Sequence, residues 1–294
     1  MSRSQLSSFS SAGSWPDGLD QQIAIAPDRQ LNVRVYGRHP DGATDPAPLV
    51  LHFHAGAFVA GSLDQGACIA GLLADAGAVV ISVDYPLAPA HPFPQAVETG
   101  YAALVWAGKA RHKLAGRNAP LLIAGEEAGG NLAAAVALMA RDQDTPRLAG
   151  QILLSPMLDA CMATASLRDA HAGPVGCTWA DGWHSYLPRL EDAAHPYAAP
   201  GSAFRLSGLP PTLLITAEDD PLRDEAQAYA QRLRAAGLVV QQAVLPEPTG
   251  WPGNYLEAGH DQAAWPALVQ KQISDFFASL TAAHDVQSSL LAHP

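Results

Sequence analysis

PLLIAGEEAGGNLAAAVALMAR, residues 120–141, decides how the chain folds. Residues 120–125 are an apolar run short enough to be a strand buried on both faces. The run ends on Gly125. After GEEA, small apolar residues continue from 128 to 141 at helical density. A strand that passes through a tight glycine-bearing turn straight into a helix is half of a parallel βα unit. The same alternation extends in both directions. Upstream, QQIAIA (21–26), LNVRVY (31–36), PLVLHFH (48–54) and AVVISVDY (78–85) read as strands. Helices are expected after Ser62 and over 94–109. Downstream, GQILLSP (150–156), PTLLITA (211–217) and LVVQQAVL (238–245) read as strands, with helices over 221–236 and 264–280.

The expected fold is therefore α/β: a mostly parallel central sheet with helices on both faces, begun by an antiparallel pair because two strands precede any helix. Between Pro156 and Leu209 the rhythm breaks. Trp179, Trp183, Tyr186 and Leu187 give that stretch an amphipathic segment, and a structureless loop of such length does not suit a compact domain. The expected organisation is an N-terminal lid segment at 1–20, a core formed by 21–156 and 209–282, a small helical lid inserted at 157–208, and a tail at 283–294.

Composition excludes several classes. Of 294 residues, 48% are hydrophobic and only 15% charged, which is not a disordered chain. Seventeen Lys+Arg against 28 Asp+Glu leave a net charge of −11, which disfavours nucleic acid as a partner. No uninterrupted apolar stretch has the length of a membrane span. The N-terminus MSRSQLSSFSSAGSWPDG lacks the apolar run of a signal peptide. Cys68, Cys161 and Cys177 are odd in number and without metal-type spacing, so the expectation is a reduced, cytoplasmic protein with no metal. His52 and His54 lie two apart on a strand, but no third ligand has suitable spacing. GEEAGG lacks the order of a phosphate-binding glycine loop, and no cofactor is implied. An edge strand or the last helix would suit a homodimer.

In open parallel sheets, ligands bind beyond the carboxyl ends of the strands. Four stretches should meet there: HAGAF (54–58), GEEAGG (125–130), EDDPLRDE (218–225) and AGHDQ (258–262). Their order, together with SVDYPLAPAHPFPQAVETGYAALVW (82–106), GEEAGGNLA (125–133) and LSGLPPTLLITAEDDPLRDE (206–225), resembles the hormone-sensitive-lipase-like esterase/lipase family of the α/β-hydrolase fold, over about residues 45–280. The resemblance implies Ser–His–Asp acyl transfer on small apolar carboxylic esters. Carried over by position, the acid is Asp220 and the base His260. The oxyanion donors are the N–H groups of Gly56, Ala57 and Ala128. Phe58, Trp183 and Tyr186 are candidates for substrate binding.

The nucleophile departs from the pattern. The third position of the family's G-x-S-x-G elbow is Glu127 here. Ser155 and Ser62 are the nearest serines in the topology, and neither is expected on a strand-to-helix elbow. HAGA replaces the family's His-Gly-Gly-Gly, so a left-handed turn there would strain alanines. Three readings follow. The chain is an esterase-type hydrolase without its usual nucleophile; it is a non-catalytic small-molecule binding pseudoenzyme, as the gibberellin receptors resembling this branch suggest; or it is a carboxylate-nucleophile hydrolase of the epoxide or haloalkane type, with Glu127 attacking carbon. Lying between Asp220 and Glu127, His260 is expected to have a raised pKa.

Overall fold

A computed structural model describes residues 18–39, 45–169, 173–256 and 264–292. Eight strands form one sheet in the order β1-β2-β4-β3-β5-β6-β7-β8. They are β1 (Leu19–Ala26), β2 (Arg29–Tyr36), β3 (Leu49–Phe53), β4 (Val79–Val83), β5 (Leu121–Glu126), β6 (Gly150–Leu154), β7 (Thr212–Ala217) and β8 (Val240–Leu245). β1 pairs antiparallel with β2 and β2 with β4, and every later pairing is parallel. This is the mostly parallel sheet with an antiparallel start that the apolar runs predict.

β3 to β7 are buried at every residue, which is why their sequences do not alternate between apolar and polar. Their side chains still alternate between two cores. Leu49, Leu51, Phe53, Leu121 and Ile123 enter the core under α2 (Gln95–Ala115), α3 (Ala128–Asp142) and α6 (Arg223–Ala235). Val50, Leu122 and Ala124 enter the opposite core under α1 (Ala67–Asp75) and α8 (Trp265–Ala292). Burying each such Leu, Ile or Phe contributes about 1.5–3 kcal/mol.

α3 is the most enclosed helix, and its Gly/Ala-rich start reflects the room available. A Cβ on Gly129 would run into the carbonyl oxygen of Phe53, and one on Gly125 into that of Gly129. The helix can therefore begin directly against the end of β3 only with glycine at both places.

Three expectations are corrected. The helix expected over 94–109 runs to Ala115 because good helix formers continue to Gly116, whose φ of 97° ends it. The last helix extends past 280 to Ala292, so the stretch from 283 expected as a tail continues α8. Of the N-terminal segment, residues 1–17 lie outside the described residues, and Leu19 already belongs to β1. Between β6 and β7 the described residues form α4 (Ala165–Arg168), α5 (Gly173–Tyr186) and 3-10 turns at Leu190–Ala194 and Pro200–Ser202, and α7 (Gly253–Leu256) precedes the last helix. Among the described residues no helix is long and apolar enough to cross a membrane, and all three cysteines are free.

Candidate active site

Glu127 stands between β5 and α3 with φ 54° and ψ −116°. This is a conformation that L residues rarely adopt, and it persists where surrounding contacts over-determine it. Its backbone is held on three sides. Its N–H donates to the Leu154 carbonyl at 3.0 Å, and its carbonyl accepts from Asn131 N at 3.1 Å and Met157 N at 3.0 Å. The turn thereby points the side chain to the carboxyl ends of the strands.

There the Glu127 carboxylate meets a nest of amides. Oε2 accepts from the N–H of Gly56 at 2.5 Å, of Ala57 at 2.8 Å and, at 3.4 Å, of Ala128. Oε1 accepts from the indole Nε1 of Trp179 at 2.6 Å. Glu127 is only 5% exposed, and these donors replace the water it gives up. The nest exists because the HAGAF turn is left-handed, with φ 137° at Gly56, 49° at Ala57 and 66° at Phe58. The strain expected at HAGA thus falls on Ala57, at a cost of roughly 1–2 kcal/mol, and not on Ala55.

A second acid sets the turn's position. Oε2 of Glu126 lies 2.7 Å from Nε2 of His52, whose Nδ1 is 3.0 Å from the Ser82 hydroxyl. Oε1 of Glu126 accepts from Ala55 N at 3.2 Å. His52 pairs in register with Ala124, so Glu126 is its neighbour two residues along. His54 turns elsewhere. Its Nδ1 lies 2.7 Å from the Ala55 carbonyl, so Nδ1 carries the proton. The ring stacks on Tyr85 at 4.3 Å, and burial lowers its pKa. His52 and His54 thus have separate partners. Among the described residues no group of three or more His, Cys, Asp or Glu is placed to hold a metal.

Asp220 follows β7 and is buried. Its Oδ2 accepts from the Ser155 hydroxyl at 2.5 Å and its Oδ1 from Leu222 N at 2.9 Å. Burial pushes its pKa up to about 6. Ser155, with φ 40°, directly follows β6. Glu225 lies nearby, its Oε2 accepting from Asp159 N at 3.1 Å, and burial raises its pKa well above the usual range. Asp219 holds Thr249 and Gly250 through their N–H groups and the Thr249 hydroxyl. His260, and with it the expected contact to Asp220 and the expected pKa, lies outside the described residues.

α5 covers this region. Phe58 stacks on Tyr186 at 4.0 Å and 3°, and Trp183 sits 4.9 Å from Phe58. All three are buried, and the Tyr186 hydroxyl has no hydrogen-bond partner among the described residues. Gly182 lies so near the Ala57 carbonyl that a Cβ would collide with it.

Residues 50–249 match the alpha/beta hydrolase fold family. The chain belongs to that family. It is 39% identical over 232 residues to the carboxylesterase NlhH of Mycobacterium tuberculosis, covering 74% of this chain and 69% of that one. A crystal structure of a thermostable esterase from Pseudomonas putida superposes with a TM-score of 0.77 at 31% identity, over 89% of this chain and 82% of the other. The Arabidopsis thaliana gibberellin receptor GID1B is 31% identical over 222 residues, 71% of this chain and 62% of the receptor. The family thus includes relatives named as esterases and one named as a receptor. It carries the α/β architecture and the esterase-type scaffold predicted from the motifs.

Two contacts had no signal along the chain. Trp179 reads as lid core by its apolar neighbours, yet its indole N–H is spent on Glu127. Ser155 reads as a stray serine, yet it donates to Asp220. The His52–Glu126 pair did leave one: ionisable residues inside two adjacent buried strands need each other.

Proposed function

We propose that this chain is an esterase-family protein whose acyl-transfer centre is closed by its own side chain, and that it binds a small, mainly apolar molecule instead of hydrolysing esters by the serine mechanism. One observation carries the reading. Oε2 of Glu127, at the family's serine position, accepts the N–H groups of Gly56, Ala57 and Ala128. In acyl transfer those donors stabilise the oxyanion of the tetrahedral intermediate. Here a carboxylate oxygen already holds them, and hydrogen bonds to a charged acceptor contribute about 1.5–3 kcal/mol each. An ester carbonyl would have to displace that set and would then find no hydroxyl to attack it.

The binding side of the proposal draws on Tyr186. A buried hydroxyl with no partner calls for one, and this hydroxyl belongs to the Phe58–Trp183–Tyr186 cluster. The ligand class is an apolar body bearing one hydrogen-bonding group. The insertion at 157–208 would be its lid, Asp220 and His260 remnants of the triad, and the reducing cytoplasm its compartment, with a homodimer as the candidate assembly.

A second reading keeps catalysis. With Oε2 in the nest, Oε1 is the oxygen that would attack an epoxide or alkyl halide carbon, giving an ester on Glu127. Its bond to Trp179 and its burial weigh against that.

The test is p-nitrophenyl butyrate hydrolysis by wild type, Glu127→Ser and Glu127→Ala. The expected result is an inert wild type and Glu127→Ala, with activity gained in Glu127→Ser. Wild-type turnover that Glu127→Ala abolishes would overturn the proposal. A mass adduct on Glu127 after incubation with an epoxide would establish the carboxylate nucleophile.

A further inference from the structure

At the opposite end of the sheet lies a feature the esterase scaffold leaves unused. A groove of about 310 Å³ opens between the second half of α2 and the turn at 145–147. Lys109, Arg111 and Arg147 line it, with Val105, Pro146 and Thr145 making up most of the remaining wall. β6 begins at Gly150, just past that turn, so the groove sits at the amino ends of the parallel strands, away from Glu127.

We propose that this groove binds small phosphate-bearing anions, with Lys109, Arg111 and Arg147 as the charged ligands. The charge pattern supports it. The chain has 28 acidic residues, yet none between Thr99 and Gly125, where Lys109, Arg111, Lys113 and Arg117 fall. The three groove cations are exposed, and none forms an ion pair or hydrogen bond with another described residue. In a protein of net charge −11, three cations lining one groove without ion-pair partners among the described residues make a local positive patch. Compensation of the helix dipole accounts for His112 and Lys113 in the last turn of α2. It does not account for Lys109 or for Arg147, which comes from another segment. The volume is at the lower end of ligand sites, about 300–1,000 Å³, and suits two or three phosphates better than a large organic molecule. A guanidinium fork and an ammonium are the groups that phosphate oxygens take best. The apolar wall of Val105 and Pro146 leaves room for a flat group attached to the phosphates.

Titration calorimetry at low ionic strength tests this with tripolyphosphate, ATP and adenosine, on wild type and on the Lys109→Ala/Arg147→Ala double variant. Saturable binding of tripolyphosphate and ATP is expected, with none of adenosine. Affinity should fall by about tenfold or more in the double variant, which is about 1.4 kcal/mol or more. Equal affinity for the two polyanions would assign the site to phosphate alone, and tighter ATP binding to a nucleotide. No saturable heat with millimolar tripolyphosphate, unchanged affinity in the double variant, or adenosine binding as tightly as ATP would overturn the proposal. Both substitutions are on the surface, and matching thermal melts verify that the variant is folded.

Discussion

Oε1 of Glu127 lies 2.6 Å from Nε1 of Trp179, so the turn at the centre of the sheet is bonded directly to the middle of α5. The core and the inserted helix share this one buried, charge-assisted contact, and the neighbouring Phe58–Tyr186 stack reinforces it. Glu127 thereby fastens the cover over its own site.

Trp179→Phe removes the indole N–H and, because Trp179 is buried, also leaves a cavity where the larger ring stood. The carboxylate keeps its amide donors on Oε2 and loses the partner of Oε1. Stability should fall by more than about 2 kcal/mol, the range for a hydrogen bond to a charged group, because the cavity adds to the lost bond. Urea unfolding of wild type and variant gives the comparison.

Glu127→Gln keeps the shape but replaces one oxygen by an NH2. That group must face either the Gly56 and Ala57 amides or the Trp179 indole, and all of these are donors. A donor facing a donor in a buried site should destabilise by about 2–3 kcal/mol. Glu127→Gln is therefore expected to melt below Glu127→Ser, whose short side chain leaves the nest to water.

Gly182→Ala has an unusual sign. Glycine inside a helix normally costs about 1 kcal/mol relative to alanine. Here the added Cβ would meet the Ala57 backbone carbonyl, which cannot swing away. α5 must then lift from the HAGAF turn, and the melting temperature should fall. A melting temperature at or above that of wild type would mean that α5 does not rest on Ala57.

Acidity should stabilise the fold over a defined window. Burial lifts Asp220 from 3.8 to about 6 and raises Glu225 in the same direction. A carboxyl whose folded pKa is raised makes the folded state less stable once it ionises. That loss is absent below the unfolded pKa, grows as pH rises from about 4 to 6, and is complete above. For Asp220 it amounts to about 3 kcal/mol, at 1.36 kcal/mol per pKa unit. Urea midpoints should therefore decline from pH 4 to pH 6.5. In Asp220→Asn that decline should be smaller, since the titrating carboxyl is gone.

Much of the fold was legible because apolar runs bounded by glycine and proline carry their own geometry. β3 to β7 and α3 lie where continuous hydrophobicity and small residues place them. The ends of α2 and α8 were not legible, since Lys, Arg, Ala and Leu continue a helix without marking where packing stops. The candidate site divides in the same way. Glu127 and the amides of Gly56, Ala57 and Ala128 were identified from motif positions, and they do converge. Trp179 was not connected to Glu127, nor Ser155 to Asp220, because those bonds join residues 52 and 65 positions apart.

The sequence by itself determined the α/β hydrolase family, the parallel sheet and the presence of a carboxylate on its central turn, since these depend on local periodicity and on spacing within a βα unit. Only the tertiary structure decided what that carboxylate does. Its two oxygens are committed by where the HAGAF turn and α5 come to rest, and that follows from packing between segments far apart in the chain. A residue's type fixes which bonds it can make; its three-dimensional neighbours fix which ones it makes.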